Sequence, residues 1–332
     1  MKATAELKRA MKSLAIAACA AATLWHGAAS AQGYPTKPIR MVLPFAAGAP
    51  SDLLGRMIAQ RMSAQIGQAV VADNRAGAGG TIAVAHVAKS APDGYTILVT
   101  SPAVALGPLL YSNVGYDPTR DLVPIARLVT IENVMLVHPA VPAKTLKEFV
   151  ALARAHPGKL NYGSGGPGTT NHLANELLIS LEKLKLVHVP YKGATLAAVG
   201  LMAGEVDELV VGVSSSVPLV KAGKVRALVV LSNKRDPLLP GVQNSTEAGF
   251  PGFVMPSWYG MFAPAGTSRD VVSRLYKEVV RAFEDPTLKT QMAAAGINQW
   301  LGSPDDLTNV VRGESARYEK IIRSAGLRKD AL

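Results

Sequence analysis

The stretch Met41 to Arg56, MVLPFAAGAPSDLLGR, constrains the fold more than any other. Met41 to Phe45 is a short apolar run of the kind that forms a buried strand. Ala46 to Pro50 is small and kinked, with Gly48 and Pro50 excluding regular structure. Ser51 or Asp52 then offers an N-cap, and Leu53, Leu54, Met57 and Ile58 supply a helical apolar stripe. A strand that passes through a small-residue loop into a helix leaves backbone N–H groups free at the helix start. Those groups and the helix dipole favour an anion.

The same arrangement recurs along the chain. The first strand is expected over Pro38 to Phe45 and the first helix over Asp52 to Ile66. Strand Ala69 to Asp73, the turn-rich Asn74 to Gly80, helix Gly80 to Lys89 and strand Tyr95 to Thr100 follow. Short connections between alternating strands and helices specify a parallel sheet with helices on its faces. Ser101 then lies at the same carboxyl edge as the Phe45 loop. Leu110 to Asp121 reads as irregular. The strand-like segments Val123 to Val129 and Asn133 to His138 end this unit, and Pro139 and Pro142 mark a boundary. After helix Thr145 to Ala155 the pattern restarts. Strands are expected at Leu160 to Gly163, Leu186 to Pro190, Glu208 to Val213 and Val225 to Leu231. Helices are expected at Thr170 to Leu181, Ala194 to Ala203 and Ser215 to Ala222. Pro237 to Pro251 has the composition of a return link. Strand Tyr259 to Ala263 and the amphipathic helices Arg269 to Phe283, Pro286 to Ala295 and Pro304 to Ala325 bring no second set of strands, so they complete the first unit. The expected architecture is α/β in two lobes, 34–133 with 252–332 and 134–251, each a mostly parallel sheet flanked by helices and crossed at least twice, as in a hinged binding protein.

The N-terminus is read as a leader removed on export. Lys2, Lys8, Arg9 and Lys12 form a basic region, Ser13 to Trp25 is mostly apolar, and Ala29-Ser30-Ala31 suits cleavage before Gln32. Cys19, the one cysteine of the chain, also sits in a lipoprotein-like box, but simple secretion is the reading preferred. Cleavage removes that thiol, which excludes disulfides, thiolate metal sites and cysteine nucleophiles. The leader carries four basic residues and one acidic, so its loss takes the formal charge from +11 to +8. The remaining Lys and Arg are dispersed. That argues against nucleic acid and is compatible with a mild field for small anions or with solubility alone.

Leu160 to Leu173 repeats the opening stretch, with Gly163-Ser164-Gly165-Gly166-Pro167-Gly168-Thr169-Thr170 between strand and helix. Either loop alone is an ordinary βα turn. Two of them, one per lobe, favour a ligand held from both sides. Gly163, Gly165 and Gly168 also satisfy a dinucleotide fingerprint, but the next strand ends in His188-Val189-Pro190-Tyr191-Lys192 without the carboxylate that would hold a ribose. No Gly-x-Ser-x-Gly is present, the histidines lack metal spacing, and no carboxylate pair stands out, so neither catalysis nor a cofactor or metal is expected. Tyr191 and Lys192 should lie on the cleft-facing edge. Trp258-Tyr259 reads as hinge packing or as cleft lining, packing being the simpler.

Several motifs in order then resemble one family over essentially the whole mature chain. They are Pro44-Phe45-Ala46-Ala47-Gly48 with Ser51-Asp52 and Arg56, Asn74-Arg75-x-Gly77-Ala78-Gly79-Gly80, Pro92-Asp93-Gly94-Tyr95, Tyr162-Gly163-Ser164, Val189 to Gly193 and Ser257 to Gly260. The resemblance is to the tripartite tricarboxylate transporter substrate-binding receptors, the TctC or Bug family. It implies a Venus-flytrap fold of periplasmic binding protein type II, a monomer without enzymatic activity, and two membrane subunits, one large and one small, as partners. Presentation of the closed form to a sensor kinase is the alternative, and an exported hydrolase is disfavoured. It also implies a small organic carboxylate held by Gly48, Ser51 and Asp52 from the first lobe and by Ser164, Gly165, Gly168, Thr169 and Thr170 from the second. Ser101, Tyr191 and Lys192 are further candidate contacts. The chain departs from the family in Ala49-Pro50, and in Val211 at a strand end where the family commonly has an aspartate. Val211 leads to the expectation of a less polar carboxylate rather than an amino acid.

Overall fold

The computed structural model describes residues 33–324, 326 and 327. The expected leader, its cleavage site and Cys19 lie outside the described residues. Every element below belongs to one compact unit that begins at Lys37.

Its first sheet has the order β11-β4-β10-β3-β1-β2. The strands are β1 (Ile39–Leu43), β2 (Val70–Asn74), β3 (Thr96–Thr100), β4 (Leu122–Ile131), β10 (Ser257–Pro264) and β11 (Ile297–Gly302). The second sheet has the order β7-β6-β8-β5-β9, from β5 (Asn133–Val137), β6 (Asn161–Ser164), β7 (Val187–Pro190), β8 (Glu208–Gly212) and β9 (Arg226–Val230). Helices α1 (Pro50–Ile66), α2 (Thr81–Ala88), α3 (Ala103–Leu110), α8 (Arg269–Glu284), α9 (Pro286–Ala294) and α10 (Pro304–Ser324) accompany the first sheet in sequence. Helices α4 (Leu146–Ala155), α5 (Thr170–Glu182), α6 (Ala194–Ala203) and α7 (Val213–Lys221) accompany the second.

Both sheets are mixed, and the chain path explains why. The strands of the β-α-β units pair in parallel, β1 with β2 and β3, and β6 with β7 and β8. The chain leaves the first sheet at the carboxyl end of β4 and enters the second one residue later, at β5. It therefore runs down β5 against its neighbours β8 and β9. On returning it runs down β10 against β3 and β4. Most strands still share one direction in each sheet, so their carboxyl ends collect on the edges that face each other across the junction.

Asn133–His138 was read as ending the first unit while the lobe bounds placed 134 onward in the second; β5 lies in the second sheet, between β8 and the edge strand β9. Its sequence NVMLV is buried throughout, as a strand covered on both faces requires. The two crossings are stitched together. Leu231 donates its N–H to the Asn133 carbonyl at 2.7 Å and Met255 to the Leu231 carbonyl at 3.0 Å. The Asn133 side-chain amide donates to the Met255 carbonyl at 2.6 Å. Away from this junction, α10 packs on β4, α3 and α5. One apolar cluster runs from Val42 and Leu98 through Leu106 and Tyr318 to Met135, Phe149 and Leu173.

Two elements escaped the sequence reading. Strand β11 (INQWLG) carries only two buried residues, so its apolar pattern is weak, and it pairs along the edge strand position beside β4. Helix α3 was hidden by Gly107 and Pro108. Proline in a helix removes the N–H that would bond the carbonyl four residues back, here Val104. The Tyr116 hydroxyl supplies the replacement, lying 3.3 Å from the Val104 and Ala103 carbonyls. Gly107 makes room for it, because a Cβ there would stand 2.4 Å from that hydroxyl and 2.7 Å from Thr81 Cγ2. Tyr116→Phe should leave the buried Val104 carbonyl unpaired and cost about 1–3 kcal/mol, measured as a fall in the urea midpoint. An unchanged midpoint would show that the proline helix needs no such support.

Candidate functional site

Helix α1 starts two residues earlier than expected. Ala49 is its N-cap without a side-chain hydrogen bond, and Pro50 occupies the first turn, where its fixed φ and missing N–H cost nothing. The caps expected from Ser51 or Asp52 are absent for that reason. Ser51 is fully buried and its Oγ has no partner among the described residues. Asp52, 5% exposed, turns back on its own loop. It accepts the Gly48 N–H at 3.0 Å, the Asn74 amide at 2.9 Å and Arg56 Nε at 2.8 Å. Asn74 also donates to the Phe45 carbonyl at 2.8 Å, which ties both ends of the loop to β2. Burial alone would raise the Asp52 pKa, but these three donors outweigh it and hold the carboxyl below its ordinary range.

The second loop is built in the same way. Ser164 ends β6 fully buried, with Oγ 2.6 Å from His188 Nε2 and accepting the Gly166 N–H at 3.1 Å. His188 stacks between Tyr162 and His172, at ring separations of 4.9 and 4.3 Å. Tyr162 donates to Glu176 at 2.5 Å, and His172 Nδ1 accepts the Gly168 N–H at 3.4 Å. Gly168 itself packs against Leu110 and Tyr111 of the first-sheet side. Thr169 and Asn171 bond each other, and Asn171 Oδ1 also accepts the Gly165 N–H at 3.2 Å. At Gly165 a Cβ would lie 2.8 Å from the Ala194 nitrogen, so only glycine lets this loop touch the start of α6. Tyr191 lays its ring over Gly200 and donates to Glu205 at 2.9 Å.

Between these loops lies a cavity of about 330 Å³. Phe45, Ala46, Ala47, Ala49, Pro50, Ser101 and Ala103 form the first-sheet wall. Gly165 and Thr169 to Asn171 form the second wall with Lys192 to Leu196. The floor is the junction itself: Ile131, Asn133, Val211, Gly212, Ser257 and Tyr259. Of the residues expected at the ligand, Ser101, Gly165, Thr169, Thr170 and Lys192 line the cavity. Gly48, Ser51, Asp52, Ser164, Gly168 and Tyr191 do not, and the contacts above show them shaping the two loops from behind. Alternation along β10 separates the remaining pair: Tyr259 faces the cavity, while Trp258 lines a smaller pocket with Trp300. Asn133 and Ser257 were missed as lining residues, with a polar residue opening the apolar run of β5 the one available signal, and Tyr259 takes the lining role that was given second to packing.

The electrostatics follow from the helices. The first turns or N-caps of α1, α3, α5, α6 and α7 all line the cavity, and none of the five has a side-chain cap hydrogen bond. Thr145, Ser268 and Asp285 cap α4, α8 and α9, and Ser303 with Asp306 closes α10 reciprocally. Among the lining residues Lys192 is the one cation, and there is no carboxylate. The positive ends of five helix dipoles therefore face a space without negative charge, although some first-turn N–H groups are already taken, Val213 by the Glu132 carbonyl, Ala103 by Ser101 and His172 by Asn171. Nothing there is arranged to attack a substrate. The Ser164–His188 pair is the nearest to a nucleophile and base, and Ser164 is sealed from the cavity.

The histidine stack predicts a pH response. Burial lowers the pKa of His172 to about 3, with His188 adding to the effect, and lowers that of His188 to about 4. The unfolded chain takes up protons near 6.5, so between there and pH 4 it binds more protons than the native state, and stability falls as the pH falls. The melting temperature should drop across this window, and less steeply for His188→Gln than for the parent protein. Equal slopes would show that the stack does not carry the effect.

Comparison with known proteins places this geometry. The family model for the tripartite tricarboxylate transporter family receptor, TctC, matches residues 54–327. A UPF0065 protein from the tcbD-tcbE intergenic region of Pseudomonas sp. strain P51 is 40% identical over 290 residues, 87% of this chain and 86% of that one. The solved structure of R. palustris Rpa4515 with adipate superposes with a TM-score of 0.85 at 34% identity, covering 89% of this chain and 99% of the other. The periplasmic binding protein BugD does so with 0.85 at 32% identity over 90% and 100%. With its two facing sheets, uncapped helix ends and matched sequence, the chain belongs to the TctC family of tripartite tricarboxylate transporter receptors.

Proposed function

We propose that this chain is a periplasmic receptor that takes up a small organic carboxylate in the cavity between its sheets and delivers it to a membrane transporter of one large and one small subunit. Residues 1–31 would direct export and be removed on it; among the described residues no helix is long and apolar enough to cross a membrane. The observation that carries the reading is the set of five uncapped helix N-termini around one cavity without an acid. A carboxylate completes what the missing caps leave open, since its oxygens accept N–H groups as a capping side chain does. Adipate in the related R. palustris protein is the same chemistry.

Ser101, Thr170 and Lys192, with the backbone at Gly165 and Ala194, are the proposed contacts. Asp52 and Ser164 hold their loops in position. Capture is a closure of the two lobes about the Glu132 and Leu231-to-Pro256 crossings, with the ligand stabilising the closed form. Tyr111, which ends α3, donates to the Pro167 carbonyl of the second loop at 2.9 Å, a direct tie across the cleft rim.

Two experiments test this. In a thermal-shift screen of mono-, di- and tricarboxylates at least one acid should raise the melting temperature, since a ligand at a hundred times its Kd adds about 2.7 kcal/mol. Lys192→Ala should weaken that acid about three- to tenfold, a charge-assisted contact at a partly exposed site. No shift with any acid would refute the receptor reading. In stopped-flow release, Tyr111→Phe should speed ligand dissociation severalfold with little change in association, because the tie forms only after docking. An unaltered dissociation rate would remove the tie from the closing mechanism.

A further inference from the structure

We infer that the acid this cleft selects has a hydrocarbon body with no ammonium or hydroxyl substituent, and that Val211, with Ile131 on the same floor, is the selecting residue. The inference rests on the carboxylate reading above and adds the chemistry of the rest of the ligand.

The cavity offers hydroxyls and one cation but no anion. Ser101, Thr170, Thr195, Ser257 and Tyr259 bring hydroxyls, which donate or accept, and Lys192 an ammonium; burial raises the pKa of the Tyr259 phenol, which stays protonated. Some side-chain oxygens are already engaged. Asn171 Oδ1 receives the Thr169 hydroxyl and the Gly165 and His172 N–H groups, and the Thr169 hydroxyl also approaches the Gly166 carbonyl at 2.6 Å. Asn133 spends its NH2 on the Met255 carbonyl and on Ser257 Oγ, the latter at 3.2 Å, which leaves one neutral oxygen. The carboxylate nearest in sequence to the lining, Glu132 between Ile131 and Asn133, is not among the lining residues, and burial with Asp236 nearby raises its pKa to about 7; Asp52 lies behind its loop with three donors of its own. An ammonium brought into this space would be desolvated without a counter-charge, a large penalty, and a hydroxyl on the apolar side would lose its water partners.

The floor gives such a body what it needs. Ile131, 1% exposed, ends β4, and Val211, 6% exposed, is the last residue but one of β8; both line the floor at the junction. Phe45 and Ala103 continue the apolar surface on one wall. Leu196 continues it on the other and remains 51% exposed. A leucine left open to solvent at the mouth of a cavity gains from an apolar ligand lying on it.

The test is calorimetry on three matched sets that differ only at C2: succinate, malate and aspartate; glutarate, 2-hydroxyglutarate and glutamate; 3-phenylpropionate, phenyllactate and phenylalanine. In any set that binds, the unsubstituted acid should be tightest, with the amino acid weaker by tenfold or more. A substituted acid that binds as tightly as its parent would overturn the inference while leaving the carboxylate reading intact. If no carboxylate binds, in these sets or in the thermal-shift screen, the receptor reading fails and this inference with it. Val211→Asp should move the preference toward the amino acid by tenfold or more, and the nearly isosteric Val211→Thr, a safer fold, should narrow the gap to the hydroxy acid. A folded variant with unchanged preference would remove Val211 from the selection.

Discussion

Everything in this molecule depends on how the chain passes between its two sheets. Only Glu132 separates β4 from β5, and the returning segment is bound to that point by the Asn133 carbonyl and amide. Because the chain enters each sheet from the junction side, β5 and β10 run against the β-α-β strands, whose carboxyl ends then face the same gap. Loops at carboxyl edges are where α/β sheets bind ligands. The short crossing therefore creates the cleft, and residues at the crossing also floor it.

The cleft is made positive without gathering basic residues. Five helices present uncapped first turns to it, while the four helices α4, α8, α9 and α10 carry side-chain caps. The acids that shape the loops are kept out of the way. Asp52 is neutralised by Arg56 and by amide donors, and Glu176 accepts from Tyr162 behind α5. Fixed dipoles need no reorganisation when an anion arrives, and they leave the floor free to be apolar. Charge is thus handled by the backbone and selectivity by a few side chains.

The sequence was most legible where one residue pattern had one physical meaning. Both strand–loop–helix repeats, the helix Ala194–Ala203 and the amphipathic C-terminal helices follow from hydrophobic periodicity and turn chemistry. Legibility failed where a distant partner supplied what the local sequence lacks. Helix α3 contains a proline because Tyr116 replaces the lost hydrogen bond, and β11 is a strand because β4 offers it an edge. The candidate contacts divided for the same reason. Gly48, Asp52, Ser164 and Tyr191 have the right chemistry in the right loops, yet side-chain partners at 2.6 to 3.0 Å engage them away from the cavity.

By itself the sequence determined a two-part α/β chain with an anion-favouring loop in each part, and, through several ordered motifs, its family. Periodicity and glycine placement are local, and local rules suffice for that. Only the tertiary structure decided which lobe β5 joins, that five helix ends converge on one cavity, and which side chains reach it. Those outcomes depend on residues more than a hundred positions apart, such as Asn133 with Met255 and Ile131 beside Ser257. The opening loop from Phe45 to Asp52 shows the division: its sequence promised a carboxylate site, and the fold put Ala46, Ala47 and Ala49 at the cavity with Asp52 holding them from behind.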